Sequence, residues 1–335
     1  MFRGICNAGC GAAKIYCEVE IMTLTELKYI VAVARERHFG RAAEACFVSQ
    51  PTLSVAIRKL EEELGVVLFE RGAGEVGITE VGLRVVNQAQ KVLEEAATLK
   101  EIARQGEDPL AGPLRVGIIY TVAPYLLPRL VPTQVAQTPQ MPLVLQENYT
   151  VRLLELLRQG ELDCAIVALP IPDTGLVTEP LYDEPFVVAV PANHPWADRE
   201  SIDANELKEE TMLLLGTGHC FRDQVLEVCP EFARYSASSE GIQRSFEGSS
   251  LETIRHMVAA GLGITVLPAS SVALHAATDD PEGRLLRYIP FKEPIPDRRV
   301  VLVWRKSFPR PAAMHALRKS VRDCNLPGVA YLDGT

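Results

Sequence analysis

Phe39–Arg71 reads FGRAAEACFVSQPTLSVAIRKLEEELGVVLFER, and this stretch decides how the N-terminal part of the chain folds. Gln50 and Pro51 open a helix: proline in a first turn loses no hydrogen bond. Leu53, Ile57, Leu60 and Leu64 then recur at spacings of three and four, which puts them on one face of a helix ended by Gly65. The polar residues near its start, Ser49, Gln50, Thr52 and Ser54, point elsewhere. Upstream, Arg41–Cys46 reads as a short helix and Phe47-Val48-Ser49 as a turn. Downstream, Val67–Glu70 and Val76–Ile78 read as a small hairpin around Gly72 and Gly74.

Working outward, Thr23 and Glu26 have capping-box spacing for a helix to about Glu36. Thr79 begins a long helix to about Arg104, roughly 39 Å at 1.5 Å per residue. Val81, Val85, Val92, Ala96, Leu99 and Ala103 make a narrow stripe on it, close to heptad spacing, which predicts pairing with a partner helix and a homodimer through residues 79–105. Gly106-Glu107-Asp108-Pro109 and Gly112-Pro113 mark a hinge. Beyond it strands (Leu114–Ile119, Leu143–Glu147, Cys164–Ala168, Phe186–Val190, Met212–Leu215, Ile264–Leu267, Val300–Trp304) alternate with helices such as Val151–Gln159 and Ser250–Ala260. This predicts an α/β domain over residues 110–322, with largely parallel sheets and two lobes. Residues 323–335 read as a tail. Residues 1–21, ahead of a second methionine at Met22, read as a disordered leader or an upstream start. Their Cys6, Cys10 and Cys17 come with no histidine and no CxxC pair, so no metal site is expected.

Composition sets the class. The 335 residues are 47% hydrophobic and 23% charged, ordinary values for a globular protein of two or three domains. No run approaches the eighteen or so apolar residues of a membrane span, and the first twenty residues hold no continuous apolar segment of a secretory signal. The expected location is the cytoplasm, where the eight cysteines should be thiols and any disulfide transient. There is no nucleotide or metal motif, so neither a cofactor nor an enzymatic role is expected. The net charge of −9 argues against a nucleic-acid partner only on average. Between Met22 and Glu75, Lys28, Arg35, Arg37, Arg41, Arg58, Lys59 and Arg71 stand against Glu26, Glu36, Glu44, Glu61, Glu62, Glu63, Glu70 and Glu75. Three of those acids form one run, late in the 50–64 helix.

The two helices and the turn between them have the form of a helix–turn–helix, whose second helix enters the DNA major groove by its first turn. Ser, Thr and Gln can donate to or accept from base edges and phosphates. Arg37 and Arg41 before this helix, Arg58 on it and Arg71 on the hairpin suit phosphate contact. A small helical scaffold with an ordinary capped helix would show the same apolar spacing.

The quoted stretch resembles the signature of LysR-type regulators, and the resemblance extends over nearly the whole of Met22–Ser320. It implies an all-α winged helix–turn–helix (22–78), a dimerisation helix (79–105) and a periplasmic-binding-protein-like α/β effector domain of two Rossmann-like lobes. It also implies double-stranded DNA as partner, with Ser49, Gln50, Pro51, Thr52 and Ser54 at the groove and Arg71 supporting the wing. Assembly into a homotetramer and contact with RNA polymerase are further implications. The wing segment Ala73-Gly74-Glu75-Val76 departs from the pattern by lacking basic residues.

Gly218-His219-Cys220-Phe221-Arg222-Asp223-Gln224 follows the apolar run at 212–215, and a helix starts within or just after it. A thiol near a helix N-terminus, flanked by His219 and Arg222, sits in a positive field that favours thiolate. Oxidation of such a thiol gives a sulfenic acid, which a second thiol can trap. Cys229 lies nine residues on. Were both on one helix, their Cα atoms would be roughly 13 Å apart, against less than about 7 Å for a disulfide. Cys46 and Cys164 lie in apolar patterns and read as buried residues.

This segment narrows the resemblance to the peroxide-sensing LysR-type regulators, with support from Tyr120–Tyr125, Leu162–Cys164 and Ser250–Arg255. The likeness implies Cys220 as the peroxidatic and Cys229 as the resolving residue, with hydrogen peroxide as the signal. His219, Arg222 and Asp223 would line the pocket, and Thr121 and Thr150 would orient peroxide. Phe221 is bulkier than the leucine the pattern expects. Two other readings stay open: a regulator whose inter-lobe cleft binds a small metabolite, touching Thr121, and a thiol peroxidase with a DNA-binding appendage.

Overall fold

The computed structural model describes residues 22–70, 76–104, 108–172, 175–229, 250–276 and 285–332. Cys6, Cys10, Cys17, Arg71 and the wing tip Gly72–Glu75 lie outside them. The chain divides into two units, one up to Leu93 and one from Glu94.

In the first unit, α1 (Leu24–Glu36) starts at the expected capping box: Thr23 Oγ1 accepts from Glu26 N, and Glu26 accepts from Thr23 N in return. α2 (Phe39–Ala45) begins two residues earlier than Arg41 because the His38 imidazole caps it, accepting from the amides of Gly40 and Arg41. α3 (Gln50–Leu64) has Ser49 as its cap and ends at Gly65, whose φ of 67° is left-handed. Leu53, Ile57 and Leu60 are fully buried against Ile30, Val33, Ala42 and Ala43. Burying side chains of this size contributes about 1.5–3 kcal/mol each, so the periodic stripe is what holds the three helices together.

The wing pairs β1 (Phe69–Glu70) antiparallel with β2 (Gly77–Ile78). Its base is held by Glu61, whose carboxylate accepts from the amides of Leu68 and Phe69 at 2.7 and 3.2 Å. One member of the acidic run thus does structural work. α4 spans Glu80–Arg104, with the Thr79 hydroxyl accepting from Gly82 N at 2.8 Å. Val86 and Ala89 of α4 are buried, whereas Val81, Val92 and Leu99 of the predicted stripe are exposed.

The second unit is α/β. Its elements are β3 (Leu114–Ile119), α5 (Ala123–Gln137), β4 (Leu143–Asn148), α6 (Thr150–Arg158), β5 (Cys164–Ala168), β6 (Leu176–Pro191), α7 (Cys220–Val228), α8 (Leu251–Ala259), β7 (Thr265–Pro268), α9 (Ala269–Ala276), β8 (Leu286–Pro290), β9 (Asp297–Arg305), α10 (Pro311–Asp323) and β10 (Ala330–Tyr331). The first lobe has the strand order β10-β6-β9-β5-β3-β4. The second is built on the far end of β6, where Phe186–Pro191 pairs with β7 and β8. One 16-residue strand therefore serves both lobes.

Three expectations need correction. The sheets are not largely parallel: β3 pairs in parallel with β4 and β5, but β5–β9, β6–β9, β6–β7, β6–β8 and β6–β10 are antiparallel. The chain passes between the lobes on β6 and returns on β9, and strands running out and back pair antiparallel. Met212–Leu215 is not a strand; it makes only isolated bridges, Met212 pairing with Ile264, and its apolar run reports burial of Met212, Leu213 and Leu215. Residues after Asp323 are not merely a tail, since Cys324 and Leu326 are buried and β10 adds an edge to the first lobe.

Packing brings the site together. An added Cβ at Gly117 of β3 would fall 2.6 Å from Leu153 and 2.7 Å from Leu162, so α6 lies directly on the strand. Arg115 of β3 grips Asp163 at 2.6 Å, tying β3 to the start of β5. These contacts place the carboxyl ends of β3 and β4 side by side, where parallel α/β sheets commonly bind their ligands.

Candidate functional site

Beyond the ends of β3 and β4, Tyr120-Thr121 and Tyr149-Thr150 meet Gly218-His219-Cys220 around a small cavity, with Ile119 and Asn148 completing its wall. It offers about 10 Å³ to the centre of a water-sized molecule, room for roughly one water. Cys220 is the first residue of α7 and Thr150 the first of α6, so two helix N-termini converge here. Neither helix has a side-chain cap. Their partial positive charge is directed at whatever occupies the cavity.

Two polar atoms of the wall are buried without a hydrogen-bond partner: Thr150 Oγ1 and His219 Nε2. An unsatisfied buried polar group costs about 1–3 kcal/mol, which is recovered when a guest with both a donor and an acceptor binds. Burial also pushes the His219 imidazole below its ordinary value, so at neutral pH it is an uncharged hydrogen-bonding group.

The positive charge expected from His219 is therefore missing at neutral pH, and Arg222 and Asp223 are not among the cavity-lining residues, Asp223 being exposed. A different cation serves the site. Arg298 of β9 is fully buried and pairs with fully buried Glu184 at 2.7 Å. It donates to Thr121 Oγ1 at 2.8 Å and to the Thr121 carbonyl at 3.0 Å, and it stacks 5.0 Å above the ring of Phe221. Burial alone would lower its pKa, but the negative charge of Glu184 raises it. Thr121 is thus held by Arg298, leaving Thr150 as the hydroxyl open to a guest. Sequence reading missed Arg298 and Glu184, because an arginine just ahead of an apolar run carries no local signal of its partners.

Cys220 and Cys229 are both thiols, standing at the two ends of the nine-residue helix α7. Cys220 is half-buried and lines the cavity, while Cys229 is its C-cap residue and buried. Their separation along the helix is therefore the roughly 13 Å expected from the rise per residue. Cys46 is partly buried, and Cys164 and Cys324 are buried. Among the described residues no group of three or more His, Cys, Asp or Glu is placed to hold a metal ion. Nor is any helix among them long and apolar enough to cross a membrane.

On the first unit, Ser49, Gln50, Pro51 and Thr52 are exposed at the start of α3 and Ser54 is partly exposed. Ser49 Oγ is 2.8 Å from Thr52 Oγ1, which fixes both hydroxyls. Arg58 is exposed on the same helix. Arg41 donates to the Glu36 carbonyl at 2.6 Å, and Arg37 is the left-handed C-cap of α1 with φ 49°. Phe47, in the turn before α3, is 96% exposed, a surface feature that reading it as a plain turn did not anticipate.

Two family models match the chain: "Bacterial regulatory helix-turn-helix protein, lysR family" over residues 24–83 and "LysR substrate binding domain" over residues 107–324. A hydrogen peroxide-inducible genes activator of Pectobacterium carotovorum is 43% identical over 302 residues, covering 90% of this chain and 96% of the relative. The DNA-binding transcriptional dual regulator OxyR of Escherichia coli K12 is 42% identical over 301 residues, covering 90% and 95%. Among solved structures, a full-length OxyR from Pseudomonas aeruginosa with a cysteine-to-aspartate substitution matches with a TM-score of 0.67 and 52% identity, covering 91% of this chain and 99% of that one. A hydrogen peroxide-bound cysteine-to-serine mutant of Corynebacterium glutamicum OxyR matches with a TM-score of 0.59 and 33% identity, covering 90% and 92%.

Proposed function

This chain belongs to the LysR family of bacterial DNA-binding regulators, in its OxyR-like branch, and from that premise we propose that Cys220 is its hydrogen peroxide sensor and Cys229 the residue that resolves the oxidised form. The chain is a transcription regulator of peroxide-inducible genes and not an enzyme. One observation carries the residue assignment: a thiol at a helix N-terminus lines a cavity for about one small molecule, beside a buried hydroxyl and a buried imidazole nitrogen that lack partners.

The chemistry follows from those parts. Peroxide takes hydrogen bonds from the Thr150 hydroxyl and the neutral His219 ring, which hold it beside Cys220 at the N-terminus of α7. The thiolate attacks one peroxide oxygen. An S–O bond forms, the O–O bond breaks, and the leaving hydroxide takes a proton to become water, giving a sulfenic acid. Cys229, giving up its proton, then attacks that sulfur; the S–S bond forms, the S–O bond breaks, and the departing hydroxide takes that proton and leaves as a second water. Because the two thiols begin at opposite ends of α7, this second step requires the helix to unwind. A redox change of one bond is thereby converted into refolding of a segment of the effector domain.

Ser49, Gln50, Pro51, Thr52 and Ser54 read the major groove of double-stranded DNA, with Arg37, Arg41, Arg58 and Arg71 on phosphates. The exposed apolar residues Val81, Val92 and Leu99 of α4 support a homodimer through that helix, and two dimers form the tetramer that meets RNA polymerase. DNA as partner sets the location as cytoplasm. The test is DNase footprinting of the reduced and peroxide-treated protein on its own promoter DNA. The footprint should change with peroxide for the native chain and stay in the reduced form for Cys220→Ser. A Cys220→Ser protein that still responds would transfer sensing to a cleft-bound effector.

A further inference from the structure

Of the residues lining the Cys220 cavity, the two that are both large and exposed are Tyr120 and Tyr149, at 36% and 38%. Ile119, Thr121, Thr150 and His219 beneath them are buried. The two tyrosines and His219 form a closed triangle of ring contacts: edge-on at 5.3 Å between Tyr120 and Tyr149 and at 4.8 Å between Tyr149 and His219, and tilted at 5.9 Å between Tyr120 and His219. The Tyr149 ring packs on the backbone at Gly218. Gly218 adopts φ 97°, and a Cβ at that position would lie 3.4 Å from the Tyr149 ring, within contact distance. Edge-to-face aromatic contacts are each worth about 0.5–1.5 kcal/mol beyond burial, so the triangle is a fixed feature of the wall.

From this geometry, and resting on the peroxide reading above, we infer that Tyr120 and Tyr149 are an aromatic rim that sets which hydroperoxide reaches Cys220. The reacting bond is the same O–O bond in any hydroperoxide. With HOOH the leaving group is hydroxide; with an alkyl hydroperoxide it is an alkoxide, which takes a proton and departs as an alcohol. Chemistry alone admits both. The space does not: the cavity offers about 10 Å³, close to one water, so hydrogen peroxide, with one oxygen more, is the hydroperoxide nearest to it in size, whereas the substituent of a bulky hydroperoxide must pass or displace the ring of Tyr149 or Tyr120. The rim therefore selects hydrogen peroxide on size, while Thr150 and His219 orient it.

The experiment measures the rate of Cys220 oxidation in full-length protein carrying Cys229→Ser, by loss of reactive thiol in tryptic peptides, with hydrogen peroxide and with cumene hydroperoxide in parallel. Tyr149→Ala and Tyr120→Ala open the rim separately, and Tyr149→Phe keeps the ring as a control for the hydroxyl. The expected result is a gain of function: the Ala variants react with cumene hydroperoxide roughly tenfold faster or more, the scale on which pocket size discriminates, and the Phe variant keeps the native ratio of the two rates. Unchanged ratios in both Ala variants, or a native protein that takes both oxidants equally fast, would overturn the rim. A native Cys220 inert to both oxidants would instead remove the peroxide reading on which it rests.

Discussion

Asp223 is exposed at the end of the first turn of α7, between the two cysteines. Replacing it with alanine and, separately, with glycine gives two proteins that have lost the same charge and differ in helix propensity. Glycine in a helix interior is less favourable than alanine by about 1 kcal/mol. If the disulfide form requires α7 to unwind, that difference is felt by the dithiol form and not by the disulfide form. Destabilising the dithiol side favours oxidation, so Asp223→Gly should have the more negative reduction potential. For a two-electron couple about 1.4 kcal/mol corresponds to 30 mV, which makes the expected gap about 20 mV. The assay is equilibration of each protein in a series of glutathione redox buffers, acid quenching, alkylation of thiols and quantification of the peptide that carries Cys220 and Cys229. Equal potentials for the two variants would mean that α7 keeps its helix in the oxidised protein, and the unwinding argument would fail.

Glu184→Ala leaves the Arg298 charge buried without its partner, and loss of one member of a buried pair costs about 3–5 kcal/mol. Urea unfolding followed by tryptophan emission reads this in the effector domain, because both tryptophans, Trp196 and Trp304, lie there; an unmoved midpoint would show that Arg298 is not dependent on Glu184. His219 has a pKa below its ordinary 6.5 in the fold, so the unfolded chain binds more protons and stability falls as pH drops below about 6.5. His219→Asn should flatten that slope in thermal melts between pH 7 and pH 5, and an unaltered slope would assign the pH dependence to other groups. Gln50→Ala should weaken operator binding by about 1–3 kcal/mol without changing binding to random DNA. Arg58→Ala should weaken both and reduce the salt slope by about one; gel-shift titrations across a salt series separate the two behaviours, and an Arg58 effect confined to the operator would contradict a phosphate contact.

The DNA-reading unit was legible in the sequence almost residue by residue, because its signals are local. The Thr23–Glu26 box and the Gly65 stop each act within one turn of helix, and both appear as expected. The effector domain was legible only where structure and signal coincide. β6 was seen as the apolar stretch 186–190, since Pro180 and Pro185 interrupt the ladder pattern of a strand that in fact runs from Leu176 to Pro191. The antiparallel returns were hidden for a related reason: strand direction is set by where the chain re-enters a lobe, which no short window contains. Cys220, Cys229, His219 and Thr150 could be named from one segment and a family likeness. Arg298 could not, because what distinguishes it is burial against Glu184 and Thr121, residues far away in the chain. The aromatic rim was equally silent: Tyr120 entered only within the family-like stretch Tyr120–Tyr125, and Tyr149 drew no reading.

The central claim is that peroxide joins two thiols now at opposite ends of one helix. Peptide mass mapping tests it most directly, on purified full-length protein before and after one equivalent of hydrogen peroxide, with remaining thiols alkylated. The account predicts a new Cys220–Cys229 disulfide, absent beforehand, and its replacement by a Cys220 sulfenic acid when Cys229 is changed to serine. Two alkylated, unoxidised cysteines after peroxide would contradict it.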